Sequence, residues 1–220
     1  MAKHLYTYVD PVVESHIDRA VEVIRSGGII AYPTDVNWAF GCDAANVKTL
    51  DRIRMLKPFH PKERPFSLIC SDLTMVASVA NVDSQAYRIL RKVLPGSYTI
   101  LLARNRSLAR QIKDKRKIVG IRIPRSPLLL AIVEKFGHPI ATTSVPLLQE
   151  APSATPVPAR FGFEVLENFG HALDLVIDLG EAVPGLESTI VDLSEGIPHL
   201  VRLGFGDPKP FEIEVEPTGA

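Results

Sequence analysis

Apolar positions recur along this chain at two periods, one near 3.6 and one near 2. Val13, Ile17, Ala20, Val21 and Ile24 stand three or four residues apart. They predict an amphipathic helix over 11–26, with Asp10-Pro11 as N-cap and first helical residue and Gly27 just past its end. Leu50, Ile53 and Leu56 predict a second helix over 46–56, and 71–80 and 84–94 read as two more. "SPLLLAIVEKFG" predicts a helix over 126–137, with Ser126 at the N-cap, Pro127 in the first turn and Gly137 at the end. "PARFGFEVLENFG" reads as a short helix. Runs of β-branched and apolar residues predict strands over 28–32, 66–70, 98–104, 117–124 and 139–145. Three more lie in "LDLVIDLG", "STIVDLS" and "PHLVRLG", and the Pro-, Ala- and Ser-rich stretch 146–158 reads as a loop. Helices and strands alternate at first, but the last three strands cluster. The pattern therefore predicts an α/β fold with a mixed sheet rather than a simple doubly wound one. With no internal repeat and no linker, 1–220 reads as a single domain.

Composition narrows the class. The chain has 220 residues, 46% of them hydrophobic, enough to bury one sizeable core. No apolar window is long enough to cross a membrane, and "MAKHLYTYVD" lacks the apolar centre of a signal peptide. Cys42 and Cys70 form no CxxC and read as reduced thiols. Together these imply a cytoplasmic protein with no membrane partner. The six histidines are scattered, so no protein-ligated metal is expected.

The net charge of zero conceals a division. Residues 1–125 hold 21 Lys and Arg against 11 Asp and Glu, whereas 126–220 hold 4 against 14. Within 86–119 there are ten basic residues and one acid, Asp114, with "KDKRK" at 113–117 the densest run. Such segregation fits a basic surface facing a phosphate-bearing partner. It equally fits two halves that neutralise each other across one fold.

No P-loop and no nucleophile elbow is present. Strands instead end in small polar residues: Thr34-Asp35 after the first, Thr142, Thr143 and Ser144 in another, Ser188-Thr189 opening a third. Lys57 ends a helix, Arg202 lies in the last strand, and Arg122 sits between Ile121 and Ile123 inside an apolar one. Converging hydroxyls and cations suit a phosphate or carboxylate. Taken singly, Ser and Thr are ordinary strand residues. Arg122 is less ordinary, because a guanidinium in an apolar strand wants an anion, from the protein or from a ligand.

"GGIIAYPTDVNWAFGCDA" (27–44) carries more polar and aromatic equipment than a turn needs, and it resembles the opening of the YrdC/YciO family, G-G-x-x-x-x-P-T-D/E-T-x-Y-G-L-G-x-x-A. "PGSYTILL", "GIRIP", "PIATTSV", "ESTIVDL" and "LVRLG" are similar to further motifs of that family, in order, over 27–204. The resemblance implies the YrdC-like fold, a single twisted mixed sheet with flanking helices around a basic cleft. It implies threonylcarbamoyl-AMP synthesis from L-threonine, bicarbonate and ATP with Mg²⁺, for tRNA modification, and binding of double-stranded RNA or tRNA. By the same resemblance Thr34, Arg122 and Thr142 would hold the small acid. Lys57, also the catalytic cation, would bind nucleotide (ATP or AMP) with Arg64, Ser144, Ser188 and Arg202. The run Lys113, Lys115, Arg116 and Lys117 is the expected RNA contact.

Several positions depart from the synthase pattern. Lys57 keeps the first cation of K-x-R-P, but Phe59 stands where its Arg belongs, with Arg64 five residues on. Cys70 replaces a histidine, and Ser144-Val145-Pro146 replaces S-A-N. With "KDKRK" before "GIRIP", these place the chain nearer the YciO branch. Two readings follow: a nucleotide-using synthase of this type, or a double-stranded RNA- or tRNA-binding paralogue with little catalysis. A hydrolase of a related adenylate is a more distant third.

Overall fold

The computed structural model describes residues 2–8, 10–57, 66–106, 117–149 and 153–213. In chain order the described elements are β1 (Lys3–Tyr6), α1 (Glu14–Arg25), β2 (Ile30–Pro33), β3 (Trp38–Asp43), α2 (Val47–Met55), β4 (Ser67–Ile69), α3 (Leu73–Val79) and α4 (Ser84–Val93). Then come β5 (Tyr98–Ala103), β6 (Ile118–Arg122), α5 (Pro127–Phe136), β7 (Ile140–Ser144), α6 (Gly162–Phe169), β8 (Leu175–Asp178), β9 (Thr189–Asp192), β10 (His199–Arg202) and a 3₁₀ turn (Lys209–Phe211). The ten strands form one mixed sheet in the order β1-β8-β2-β3-β7-β4-β6-β5-β9-β10. Four pairs are parallel (β1 with β8, β2 with β8, β4 with β6, β5 with β9) and five antiparallel, so the sheet is mixed, as the clustering of the late strands predicts.

Strand residues point alternately to the two faces, and the faces are covered unequally. Ala31, Phe40, Leu68, Ile100, Ile121 and Ala141 point to one face, where α2, α3, α4 and α6 pack. Ile30, Tyr32, Ile69, Ile140 and Ile177 point to the other, under α1 and α5. That second cluster takes no residue from β5, β6, β9 or β10. Among the described residues only these two helices lie on this face, too few to cover ten strands, and the half they leave open is where the polar residues of the sequence collect.

The helices lie where the periodicity places them, with shorter ends. Asp72 and Asp83 cap α3 and α4 by accepting from the Met75 and Ala86 amides, and Gly137 ends α5 in the left-handed conformation. One boundary is corrected: α1 begins at Glu14 with Val13 as N-cap, not at Asp10-Pro11. The chain is still tied to the sheet edge at Thr7, whose amide donates to Asp178 O, so residues 10–13 serve as the return from that edge. Strand 28–32 shifts to Ile30–Pro33, because Gly28 still donates to Val23 O at the helix end. Two strands were not expected. β1 is a polar-faced edge strand, held by parallel pairing to β8 and by a 2.9 Å contact from His4 Nε2 to Asp178. β3 turns the stretch after Pro33 into the second arm of a hairpin, paired from Ile30↔Gly41 to Pro33↔Trp38.

Both cysteines are free and fully buried in the larger core. Burial pushes the Cys42 thiol up to about 12, and raises that of Cys70 as well. A raised folded-state pKa keeps its stability below the unfolded value, about 8.5, and loses it as pH rises past that value. Each thiol should therefore withdraw about 1.4 kcal/mol by about pH 9.5. Urea midpoints measured at neutral and alkaline pH check this: the Cys42→Ala/Cys70→Ala chain should lose less over the same interval than the wild type.

Candidate functional site

The uncovered half of the face begins where α1 and α5 stop. Strand alternation puts Thr142 and Ser144 of β7, Ser67 of β4, Gly120 and Arg122 of β6, and Thr99 of β5 on this side. Arg202 of β10 lies opposite Ile190 of β9 on the same side. Small residues keep the surface low. A Cβ on Gly120 would stand 3.0 Å from Ser67 Oγ and 3.4 Å from Thr99 Cγ2. On Gly41 it would meet the Tyr32 ring at 2.6 Å. Gly41 thus lets that ring cross β3, and Tyr32 Oη donates to Thr142 Oγ1 at 2.7 Å. Both residues are buried, and burial raises the Tyr32 phenol well above its ordinary value, so it stays a donor.

Arg122 is the centre of the site. It is 7% exposed, and its Nη2 donates to Asp35 Oδ1 at 3.3 Å. Asp35 Oδ2 accepts from Ser97 Oγ at 2.7 Å. Burial lowers the guanidinium pKa, while the Asp35 carboxylate works against that shift. Arg122 Nε is buried and has no hydrogen-bond partner among the described residues. Asn37 Oδ1, on the turn that carries Asp35, is the other buried side-chain atom left without one among the described residues. An unmade bond at such an atom costs about 1–3 kcal/mol.

The remaining expected residues are placed as follows. Thr34 lies in the β2–β3 turn, where its hydroxyl donates to Asn37 O at 2.8 Å and accepts from the Val36 and Asn37 amides. Its proton therefore closes the turn. Lys57 follows α2 and reaches across the end of β7, donating to Thr143 Oγ1 at 3.0 Å, Ser144 O at 2.6 Å and Ser144 Oγ at 3.2 Å. Ser188 Oγ lies 2.8 Å from Thr99 Oγ1. Arg202 donates from Nε and Nη2 to Ser188 O and from Nη1 to Glu187 at 2.7 Å. Lys57, Thr142 and Ser144 thus gather at the end of β7, and Arg122, Ser188 and Arg202 on β6 and beside β9. Arg64 and Phe59 lie outside the described residues, as do Lys113, Lys115 and Arg116; Lys117 is exposed at the start of β6. At the departures, Cys70 and Val145 are buried and apolar, and the Val145 amide donates to Trp38 O.

Asp35, Ser97, Thr99 and Tyr32 were missed as site residues. A signal existed for two of them, the alternating hydroxyls of "GSYTI", which share one strand face. Asp35 could not be paired with Arg122, 87 positions away, without knowing the sheet order.

Fold and site together define a mixed-sheet α/β domain with a cationic, hydroxyl-lined surface suited to a small anionic ligand. The chain belongs to the Sua5/YciO/YrdC family, whose model, described as "Telomere recombination", matches residues 22–204. It is 32% identical to YciO of Escherichia coli K12, a protein described as uncharacterised, over 96% of this chain and all of that one. The crystal structure of E. coli YciO superposes with a TM-score of 0.83. A threonylcarbamoyl-AMP synthase of Pyrococcus abyssi is 28% identical over 88% of this chain and 55% of the synthase. The structure of P. abyssi Sua5 complexed with L-threonine gives a TM-score of 0.79 at 25% identity, covering 92% of this chain and 58% of that one. Identity is thus higher, and coverage complete, on the YciO side.

Proposed function

We propose that this chain binds ATP and a small carboxylic acid, L-threonine by family resemblance, and joins them as a cytoplasmic threonylcarbamoyl-AMP-type synthase serving tRNA modification. The observation that carries the reading is Arg122: a buried guanidinium, tethered to Asp35, whose Nε lacks a partner among the described residues. A ligand carboxylate against Nε would recover the cost of that unmade bond. The Sua5 structure complexed with L-threonine and the relatives named as synthases support the choice of acid. In the proposed reaction a carbamate oxygen, formed from threonine and bicarbonate, attacks the α-phosphorus of ATP, and the bond to pyrophosphate breaks. No protein nucleophile is needed, so the chain contributes positioning and electrostatics. Among the described residues no three His, Cys, Asp or Glu side chains gather as a metal site. Mg²⁺ would arrive on the phosphates of ATP, as part of the substrate.

Lys57 would serve the phosphates by exchanging one of its contacts at Thr143 or Ser144 for a phosphate oxygen. Lys57→Ala should then weaken ATP binding more than AMP binding in isothermal titration, since more charge is lost with the triphosphate. Equal weakening of both would confine Lys57 to holding β7.

A second reading, an RNA-binding paralogue with little catalysis, is favoured by the buried, apolar Cys70, which stands where the synthases carry a histidine, and by Pro146, which stands where they carry an asparagine. Changing Lys113, Lys115, Arg116 and Lys117 together to Ser should weaken duplex RNA and flatten the salt dependence, by roughly 0.9 in log–log slope per lost phosphate contact on the duplex DNA scale. A salt slope unchanged by the quadruple substitution would exclude this run as the RNA contact.

A further inference from the structure

On the opposite face of the sheet from this site, α4 and the 3₁₀ turn enclose a groove of about 650 Å³. Its floor is apolar, with Ile89 of α4, Ile197 and Pro198 before β10, and Pro210 and Phe211 of the 3₁₀ turn. Arg88, Arg91 and Lys92 line its α4 side. Several surface cations are neutralised within the fold. Arg19, Arg54 and Lys135 pair with acids on their own or a packed helix, and Arg52 and Arg202 pair with Asp174 and Glu187. After its cap Asp83, α4 contains no acid, and Arg88, Arg91 and Lys92 make no ion pair among the described residues. The helix C-terminus favours Arg91 and Lys92 electrostatically, but it accounts neither for Arg88 nor for the apolar floor. Ile197, at the groove's edge, is 67% exposed.

We propose that this groove docks a linear protein segment in which acidic residues flank apolar ones, the acids pairing with Arg88, Arg91 and Lys92 and the apolar side chains filling the floor. Charge complementarity selects the occupant. An apolar floor offers nothing to a phosphate backbone, and Glu212 in the groove wall repels a polyanion but tolerates separated carboxylates. Binding here is independent of the nucleotide and acid proposed for the other face.

The test is a peptide array of the pattern Glu-apolar-apolar-Glu, with Ser-for-Glu and Lys-for-Glu counterparts, probed with the labelled full chain. The best peptide is then followed by fluorescence anisotropy. The acidic series should be retained over both counterparts, and binding should weaken with salt. Arg88→Glu/Arg91→Glu, and separately Ile197→Ser, should each cost about tenfold or more in affinity. Both variants change exposed side chains, and their unchanged unfolding midpoints would show the fold intact. Retention of the Ser series as strongly as the Glu series would overturn the proposal, as would acidic-peptide binding indifferent to both variants. Duplex RNA bound through Arg88 and Arg91 while no acidic peptide binds would overturn it in favour of a nucleic-acid surface.

Discussion

Arg122→Met should destabilise the chain while a compensating second substitution restores it. Removing the guanidinium strands the Asp35 carboxylate, whose side chain is 8% exposed, with Ser97 Oγ as its remaining donor among the described residues. Breaking one partner of a buried ion pair costs about 3–5 kcal/mol. Deleting the unpartnered Nε returns part of this, about 1–3 kcal/mol, so a net loss on the order of 2 kcal/mol is expected. Replacing the whole pair by apolar side chains is neutral or stabilising in comparable proteins, so Asp35→Leu/Arg122→Met should recover most of the loss. Urea unfolding of the two variants and the wild type measures it. A single variant as stable as the wild type would mean that the pair contributes nothing, and Arg122 could then not be read as a residue held in place for a ligand. The double variant also separates fold from function, since it should stay folded and yet lose binding of the small acid.

The second large effect is a gain. Two groups present in the synthase motifs are missing here, an Arg where Phe59 stands and an Asn where Pro146 stands. An oriented donor or cation at a developing charge is worth about 2.7–4 kcal/mol, or roughly 10²–10³ in rate. The wild-type chain should accordingly form threonylcarbamoyl-AMP slowly, and Phe59→Arg/Pro146→Asn should raise threonine- and bicarbonate-dependent pyrophosphate release by about 10² or more. The exchange should also cost some stability, because Pro146 restricts the unfolded chain. A wild-type rate equal to that of a full-motif synthase would show that another residue already fills the gap.

The helices were legible because a 3.6-residue apolar period and Asp or Gly at the ends are local signals. Asp83 before α4 marks where that helix starts, and Gly137 after α5 marks where that one stops, without any tertiary information. β1 was not legible. Its pattern, exposed at Lys3 and Tyr6 and half-buried between, carries no apolar alternation, and what holds it is pairing with β8, more than 170 residues on. β3 was overlooked for another reason. Trp38, Phe40 and Cys42 do alternate toward one core, but Ala39 and Gly41 are small, so the period of two looks like a continuous apolar run. At the site, Arg122 was visible as a charge inside an apolar strand, and the polar turn after Pro33 as an excess of polar groups. That the two are joined, through Asp35, depends on the sheet order. So does the reach of Tyr32 over Gly41 to Thr142, which spans three strands. The charge division of the sequence became something more specific than a basic face: on α4 it is three cations without an ion pair among the described residues, beside an apolar groove.

Isothermal titration of the wild-type chain with L-threonine, ATP and AMP, alone and together, and of the Asp35→Leu/Arg122→Met chain in parallel, tests the central claim most directly. The account predicts micromolar-to-millimolar binding of ATP by both chains, and binding of L-threonine by the wild type that the folded double variant lacks. Absence of any heat with either ligand in the wild type would contradict it, and so would threonine binding that survives the loss of Arg122.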